Sequence, residues 1–196
     1  MMEDFAALLS EVRACRVCAE HLPLGPRPVL RADPAARLLI VGQAPGTKVH
    51  ETGIPWNDAS GRRLREWLGL SEEVFYDETQ VAIVPMGLCY PGRDKNGGDN
   101  PPRPECAPLW HPRVLPHLAQ IRFTLLIGSY AQKRFLGAVA GGVRGTVERW
   151  RDYLPAYLPL PHPSWRTLSW EKKNPWFGQE LLPEARRRIA ELLTNP

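Results

Sequence analysis

Residues 37–46 read Arg37-Leu38-Leu39-Ile40-Val41-Gly42-Gln43-Ala44-Pro45-Gly46. A short unbroken apolar run, ended by a turn between two glycines, is the pattern of a strand buried on both faces. Working outward, three further runs carry the same signature: Gln80 to Val84, Phe123 to Ile127 and Tyr157 to Leu160. Helical periodicity fills the intervals. Met1 to Cys15 places Phe5, Leu8, Leu9 and Val12 on one face, and Gly61 to Leu70 does so with Leu64, Trp67 and Leu68. Ser129 stands where an N-cap opens a helix over Tyr130–Leu136. Asn174 to Leu193 carries a stripe of Leu181, Leu182, Ala185, Ile189 and Leu192. Strands alternating with helices predict an α/β fold, a three-layer α/β/α sandwich around a central, mainly parallel four-stranded sheet.

The chain has 196 residues, 43% of them hydrophobic, which suits one domain over residues 1–196 with a sizeable core. Its formal charge of +4 admits a polyanionic partner without requiring one. The first helix lacks the basic start and unbroken apolar stretch of a signal peptide, and no run approaches the roughly 20 apolar residues of a membrane span. The expectation is a soluble cytoplasmic protein with no membrane association, monomeric, and with no obligate protein partner. Twenty-one prolines gather in Leu22–Pro34, Pro85–Pro116 and Pro155–Pro175. Proline fixes φ and cannot donate a backbone hydrogen bond, so these segments read as ordered and non-helical. The long loop from Cys89 to Cys106 lies in the second of them, and long loops inside compact domains are usually functional.

Parallel sheets bind ligands beyond the carboxyl ends of their strands. The glycines of Gly42-Gln43-Ala44-Pro45-Gly46 let the backbone approach a ligand closely, while Pro45 stiffens the turn. The lysine and serine of a phosphate loop are missing. After the fourth strand comes Pro161-His162-Pro163-Ser164, in which flanking prolines hold the imidazole in one direction. Between these loops, Trp56 and Asn57 sit in Gly53–Gly61, and Trp56 can act as a stacking platform for a flat base. Each string alone is commoner as an ordinary turn or core feature; together they are not.

All four cysteines fall into two pairs, Cys15-X-X-Cys18 and Cys89 with Cys106, the latter separated by sixteen residues. Inside a cell the thiols stay reduced, which points to ligation rather than disulfides. Four thiolates suit either an iron–sulfur cube or a zinc ion, and spacing does not choose between them.

The three loops, in this order and spacing, resemble the uracil-DNA glycosylase superfamily, with Gly42–Gly46 as its first motif and His162-Pro163-Ser164 as its second. The resemblance is closest to the iron–sulfur branch known as family four, and runs from Cys15 to the C-terminal helix. It implies a DNA-repair enzyme that hydrolyses the N-glycosidic bond of a flipped damaged base, uracil by default, and leaves an abasic site. It also implies that Cys15, Cys18, Cys89 and Cys106 hold a [4Fe–4S] cluster, with zinc as the alternative. His162 would stabilise the departing base, Gln43 and Ala44 would bind a carbonyl or orient water, and Gly42, Trp56 and Asn57 would hold the base. Ser164, Arg166, Lys172 and Lys173 would contact DNA, and Arg62 and Arg63 are further candidates.

Two features, motif one and Pro85, depart from the family pattern. Gln43 replaces a glutamate and Ala44 replaces the aspartate of other branches, so motif one offers no carboxylate; Glu51 and Asp58 are the nearest in sequence. Pro85 replaces an asparagine that reads the uracil edge. These departures keep open a glycosylase for deaminated purines such as hypoxanthine or xanthine. A catalytically weak sensor of damaged bases and a hydrolase of free nucleosides also remain open.

Overall fold

The computed structural model describes residues 4–95, 97–138 and 140–194. Four strands, β1 (Leu38–Val41), β2 (Val81–Ile83), β3 (Phe123–Ile127) and β4 (Tyr157–Leu160), form one sheet in the order β2-β1-β3-β4. Every pairing is parallel, with Ile40 opposite Ile83 on one side and Leu125 on the other. Side chains alternate along each strand, so Leu38 and Ile40 enter one core while Leu39 and Val41 enter the other.

The first core is closed by α3 (Ala59–Leu68), α7 (Gly142–Glu148) and α9 (Leu182–Thr194), through Leu64, Trp67, Val147, Ala185 and Ile189. The second is closed by α1 (Phe5–Arg13), α5 (Cys106–Val114) and α6 (Ser129–Leu136), through Leu8, Val12, Trp110, Val114 and Ala131. The result is the expected α/β/α sandwich. Both sheet edges are blunted: Arg31 exchanges backbone hydrogen bonds with Ile83 beside β2, and Pro159 sits in β4, the other edge strand.

The expected strands and main helices are present, with several corrections. Helix α1 begins at Phe5 under an Asp4 N-cap; residues 1–3 of the expected helix lie outside the described residues. The N-cap of α6 is Gly128, not Ser129, because the chain leaves β3 at φ 82°, a left-handed value that glycine alone accepts freely. Helix α5 occupies part of the proline-rich segment read as non-helical. Pro108 falls in its first turn, where no intrahelical donor is needed, and Pro112 is tolerated further along. In the third proline-rich segment, the eleven residues between Pro163 and Pro175 contain no proline, and α8 (Leu168–Lys173) forms there after a 3-10 turn over Trp165–Thr167. The C-terminal helix is interrupted: a π-turn over Phe177–Leu181 precedes Pro183, whose missing N–H breaks the ordinary ladder. Short helices α2 (Thr47–Thr52) and α4 (Glu72–Tyr76) had no clear periodicity to betray them. No helix among the described residues is long and apolar enough to cross a membrane.

Candidate active site

The carboxyl ends of β1, β2 and β4 open onto one cavity of about 110 Å³, lined among others by Gly42 to Gly46, Trp56, Asp58, Pro85, Asp99 and His162. That is small beside the roughly 300–1,000 Å³ of pockets for drug-sized ligands. A larger groove of about 690 Å³ runs alongside, past His21, Thr47, Tyr90 and Asn100, but it is shallow and open.

Backbone geometry explains why the cavity is preformed. Gly42 and Gln43 accept hydrogen bonds from Met86 N–H (2.9 Å) and Gly87 N–H (2.8 Å), which ties the loop after β1 to the one after β2. Glycine is required at position 42, because a Cβ there would stand 2.9 Å from Cζ2 of Trp56. Trp56 itself has a left-handed φ of 56°, a strained conformation for a bulky residue. It is held by its neighbours. Tyr76 Oη donates to the Pro55 carbonyl (3.0 Å), Asp58 caps α3 by accepting from Gly61 N–H (2.8 Å), and Gly61 packs directly under the Trp56 carbonyl. The indole ends 5.7 Å from the His162 ring, centroid to centroid.

His162 reaches solvent through the cavity mouth although protein atoms crowd around its ring. That crowding lowers its pKa, against the opposing pull of the Asp58 and Asp99 carboxylates. The neutral imidazole is therefore the favoured form at neutral pH. The segment after it is clamped: Ser164 N–H donates to the His162 carbonyl (2.8 Å), and the Ser164 carbonyl accepts from Arg63 (2.8 Å) and Thr167 (2.7 Å). Arg63 also pairs with Glu171 of α8. Its guanidinium is thus engaged inside the protein, unlike that of exposed Arg62.

The structure brings Gly42, Gln43, Ala44, Trp56 and His162 together in one cavity. Asn57 and Glu51 are not among the lining residues, and Asp58 stands where Asn57 was expected. Arg166 lines an adjoining cleft with Arg144 and Trp170, and Lys172 and Lys173 are exposed on α8. Sequence reasoning missed Asp99 and His111, and it singled out the stretch after His162 without a separate role for Trp165 or Leu168. Asp99 enters the cavity from the Cys89–Cys106 loop, fifty-odd residues from motif one, and only the fold could reveal it. Trp165 (75% exposed) and Leu168 (48% exposed) form an unburied apolar pair beside the His162 loop. His111 donates from Nε2 to the Pro85 carbonyl (3.0 Å), fixing the wall of the cavity from behind.

A second, smaller cavity is lined by all four cysteines, with Pro26, Pro28, Leu88, Arg103 and Trp110 around them. Leu88 N–H donates to Cys106 Sγ (3.3 Å). Burial pushes the Cys89 thiol up to about 11 and Cys106 up to about 12, and it raises Cys18 as well. Among the described residues no three His, Cys, Asp or Glu side chains close around a single ion position. The four thiols nevertheless face one space.

The parallel sheet of this sandwich thus carries, beyond the carboxyl ends of its strands, a cavity that joins a glycine-bounded loop to a histidine loop. The profile of the Uracil DNA glycosylase superfamily matches residues 31–186, and the chain belongs to that superfamily.

Proposed function

We propose that this protein is a DNA glycosylase of the family-four type, which hydrolyses the N-glycosidic bond of a deaminated base, uracil first, flipped out of DNA. The observation that carries this reading is the convergence of Gly42–Gly46, Trp56 and His162 on one small cavity suited to a single flat heterocycle. The base would stack on Trp56, with Gly42 allowing close approach. Neutral His162 would donate a hydrogen bond to the base carbonyl as negative charge develops on it, an effect worth on the order of a few kcal/mol in a water-poor site. The backbone amides of Gln43 and Ala44 would serve the other carbonyl.

Flipping a base needs something to fill the vacated stack and something to grip the backbone. Exposed Trp165 and Leu168 suit the first task; Ser164, Arg166, Lys172 and Lys173 suit the second, as sequence-independent phosphate contacts. The cysteine cavity has the donor set for a [4Fe–4S] cluster: four thiols on one space, one of them already accepting a backbone N–H. Cys15, Cys18, Cys89 and Cys106 would hold the group, which would supply a structural link between the N-terminal segment and the long loop.

The test is excision. Purified protein is incubated with single-stranded and duplex oligonucleotides carrying uracil, hypoxanthine or xanthine, and abasic sites are then cleaved with alkali. Cleavage at a deaminated base, lost in His162→Ala, is the expected result. The purine substrates belong in the panel because Pro85 lines the cavity where the family pattern has an asparagine. DNA binding without cleavage of any substrate would instead establish a damage sensor. Iron and sulfide analysis should find about four of each per chain.

A further inference from the structure

We propose that Asp99 is the carboxylate that activates water in this site, a catalytic task that motif one cannot perform here. The assignment rests on the glycosylase reading. Gln43 and Ala44 bring no carboxylate to the loop after β1, yet the cavity contains two, Asp58 and Asp99. Their situations differ. Asp58 caps α3 through Gly61 N–H, two residues from the strained Trp56, which commits its Oδ1 to the scaffold. Asp99 caps no helix. Its Oδ2 faces motif one, 4.0 Å from where a Cβ on Gly46 would stand.

The loop around Asp99 is built to hold it there. Arg93 and Asp99 pair as an isolated antiparallel bridge, and the Arg93 guanidinium lies 3.8 Å from Asp99 Oδ1. Asp94 N–H donates to the Gly98 carbonyl at 2.7 Å, closing the turn. The next residue, Asn100, is tied three ways: its N–H donates to the Gly92 carbonyl (2.9 Å), its side-chain amide to the Pro91 carbonyl (3.2 Å), and its own carbonyl accepts from Gln43 Nε2 (3.2 Å). Gln43 is therefore a positioning residue as well as a wall of the cavity: it ties motif one to the loop that carries the acid. The replacement of glutamate by glutamine in motif one and the arrival of Asp99 from the long loop are two halves of one arrangement.

The chemistry balances without a further reagent. The C1′–N bond breaks and its electron pair leaves on the base, which His162 stabilises. A water oxygen forms the new bond to C1′, and its proton passes to the Asp99 carboxylate. That proton is then released to solvent or to the departed base. The products are the free base and an abasic deoxyribose. A carboxylate at this position also stabilises positive charge building up on the sugar in an oxocarbenium-like transition state.

The experiment measures single-turnover excision from a duplex carrying uracil, hypoxanthine or xanthine, beside binding to a duplex carrying a tetrahydrofuran abasic analogue. Asp99→Asn should lower excision about 100- to 10,000-fold, the range for a positioned general base, while binding to the analogue duplex stays within about twofold. Asp99→Ala should regain activity as formate is added, because a small carboxylate can enter the vacated space; a merely structural role would not respond to formate. Excision by Asp99→Asn at the wild-type rate overturns the assignment, and so does a loss of excision matched by an equal loss of DNA binding. A wild-type chain inactive on every base overturns the glycosylase reading and this assignment together, which separates the two failures.

Discussion

The motif-one cavity and the cysteine cavity share the Cys89–Cys106 loop, and burial acts on both in the same way. It favours the neutral form of whatever it encloses: the Cys89 and Cys106 thiols are pushed up to about 11 and about 12, and His162 is pulled down. What differs is the counterweight. Around His162 two carboxylates, Asp58 and Asp99, oppose the effect of burial. The charged groups the cysteines meet include one another, which makes two or more thiolates harder still to reach. The walls of the motif-one cavity are tied by bonds among the chain's own groups, such as Gly87 to Gln43 and Gln43 to Asn100. The cysteine cavity is a set of donors that a positively charged centre would complete. The Cys89–Cys106 loop belongs to both, with its ends in one and Asp99 in the other.

The most severe way to break this comparison is to remove the shared anchor. Replacing Cys89 and Cys106 together by serine should abolish bound iron and lower excision by at least about 100-fold, because the loop that carries Asp99 and Asn100 loses its fixed ends. Iron analysis beside single-turnover excision checks it. Unchanged excision in the iron-free variant would show that the two cavities are independent.

The next largest effect belongs to the motif-one cavity alone. Gly61→Ala drives a methyl into the Trp56 carbonyl, which is backbone and cannot swing aside. The expected cost is about 1–3 kcal/mol of folding stability, with excision reduced as the Trp56 loop shifts. Gly178→Ala, where a Cβ meets nothing within 4 Å, is the control. Chemical denaturation of both variants measures the difference, and equal midpoints would show that Trp56 does not depend on Gly61.

How legible these features were in the sequence follows from the range of the forces involved. The strands were readable because burial on both faces leaves an unbroken apolar run, as in Leu38–Val41. Motif one and His162 were readable as loops at strand ends, where parallel sheets place ligands, and Trp56 as an aromatic in the turn-rich stretch Gly53–Gly61. Helix α5 was hidden because its prolines argue against a helix locally, whereas packing of Trp110 and Val114 against α1 and the sheet outweighs that preference. Asp99 was invisible for a different reason. A carboxylate in a polar loop carries no periodicity, and its place in the cavity depends on tertiary bonds such as Gln43 to Asn100. The clamp by Arg63 was misjudged likewise: its partners, Ser164 and Glu171, lie about a hundred residues away.

Arg63 offers an intermediate perturbation. Its side chain and that of Glu171 are mostly buried, so Arg63→Ala leaves Glu171 without this partner and the Ser164 carbonyl with Thr167 alone. Excision should fall about ten- to a hundredfold as the His162 segment loosens, while bound iron stays at the wild-type level. Loss of iron in this variant would show that the two cavities are coupled through the whole domain, not only through the shared loop.

The smallest expected effect is the most direct test of the counterweight. Because burial holds the His162 pKa below the ordinary value of about 6.5, the neutral donor persists as the solution is acidified past the point at which a free histidine would charge. The excision rate should therefore stay level from about pH 8 to about pH 6.5, with its histidine-dependent decline displaced to lower pH. The sign for stability is the same. The unfolded chain takes up its proton first, so between the folded and unfolded values it binds more protons than the native state, and stability falls as pH falls through that window. The groups that face the ring set the size of the displacement: Asp58 from the N-cap of α3 and Asp99 from the long loop both favour the imidazolium. Asp58→Asn should accordingly move the His162 titration, followed by NMR of the labelled imidazole, further toward acid. A shift toward base would mean that Asp58 does not act on the ring as a charge, and the contrast between the two cavities would then reduce to burial alone.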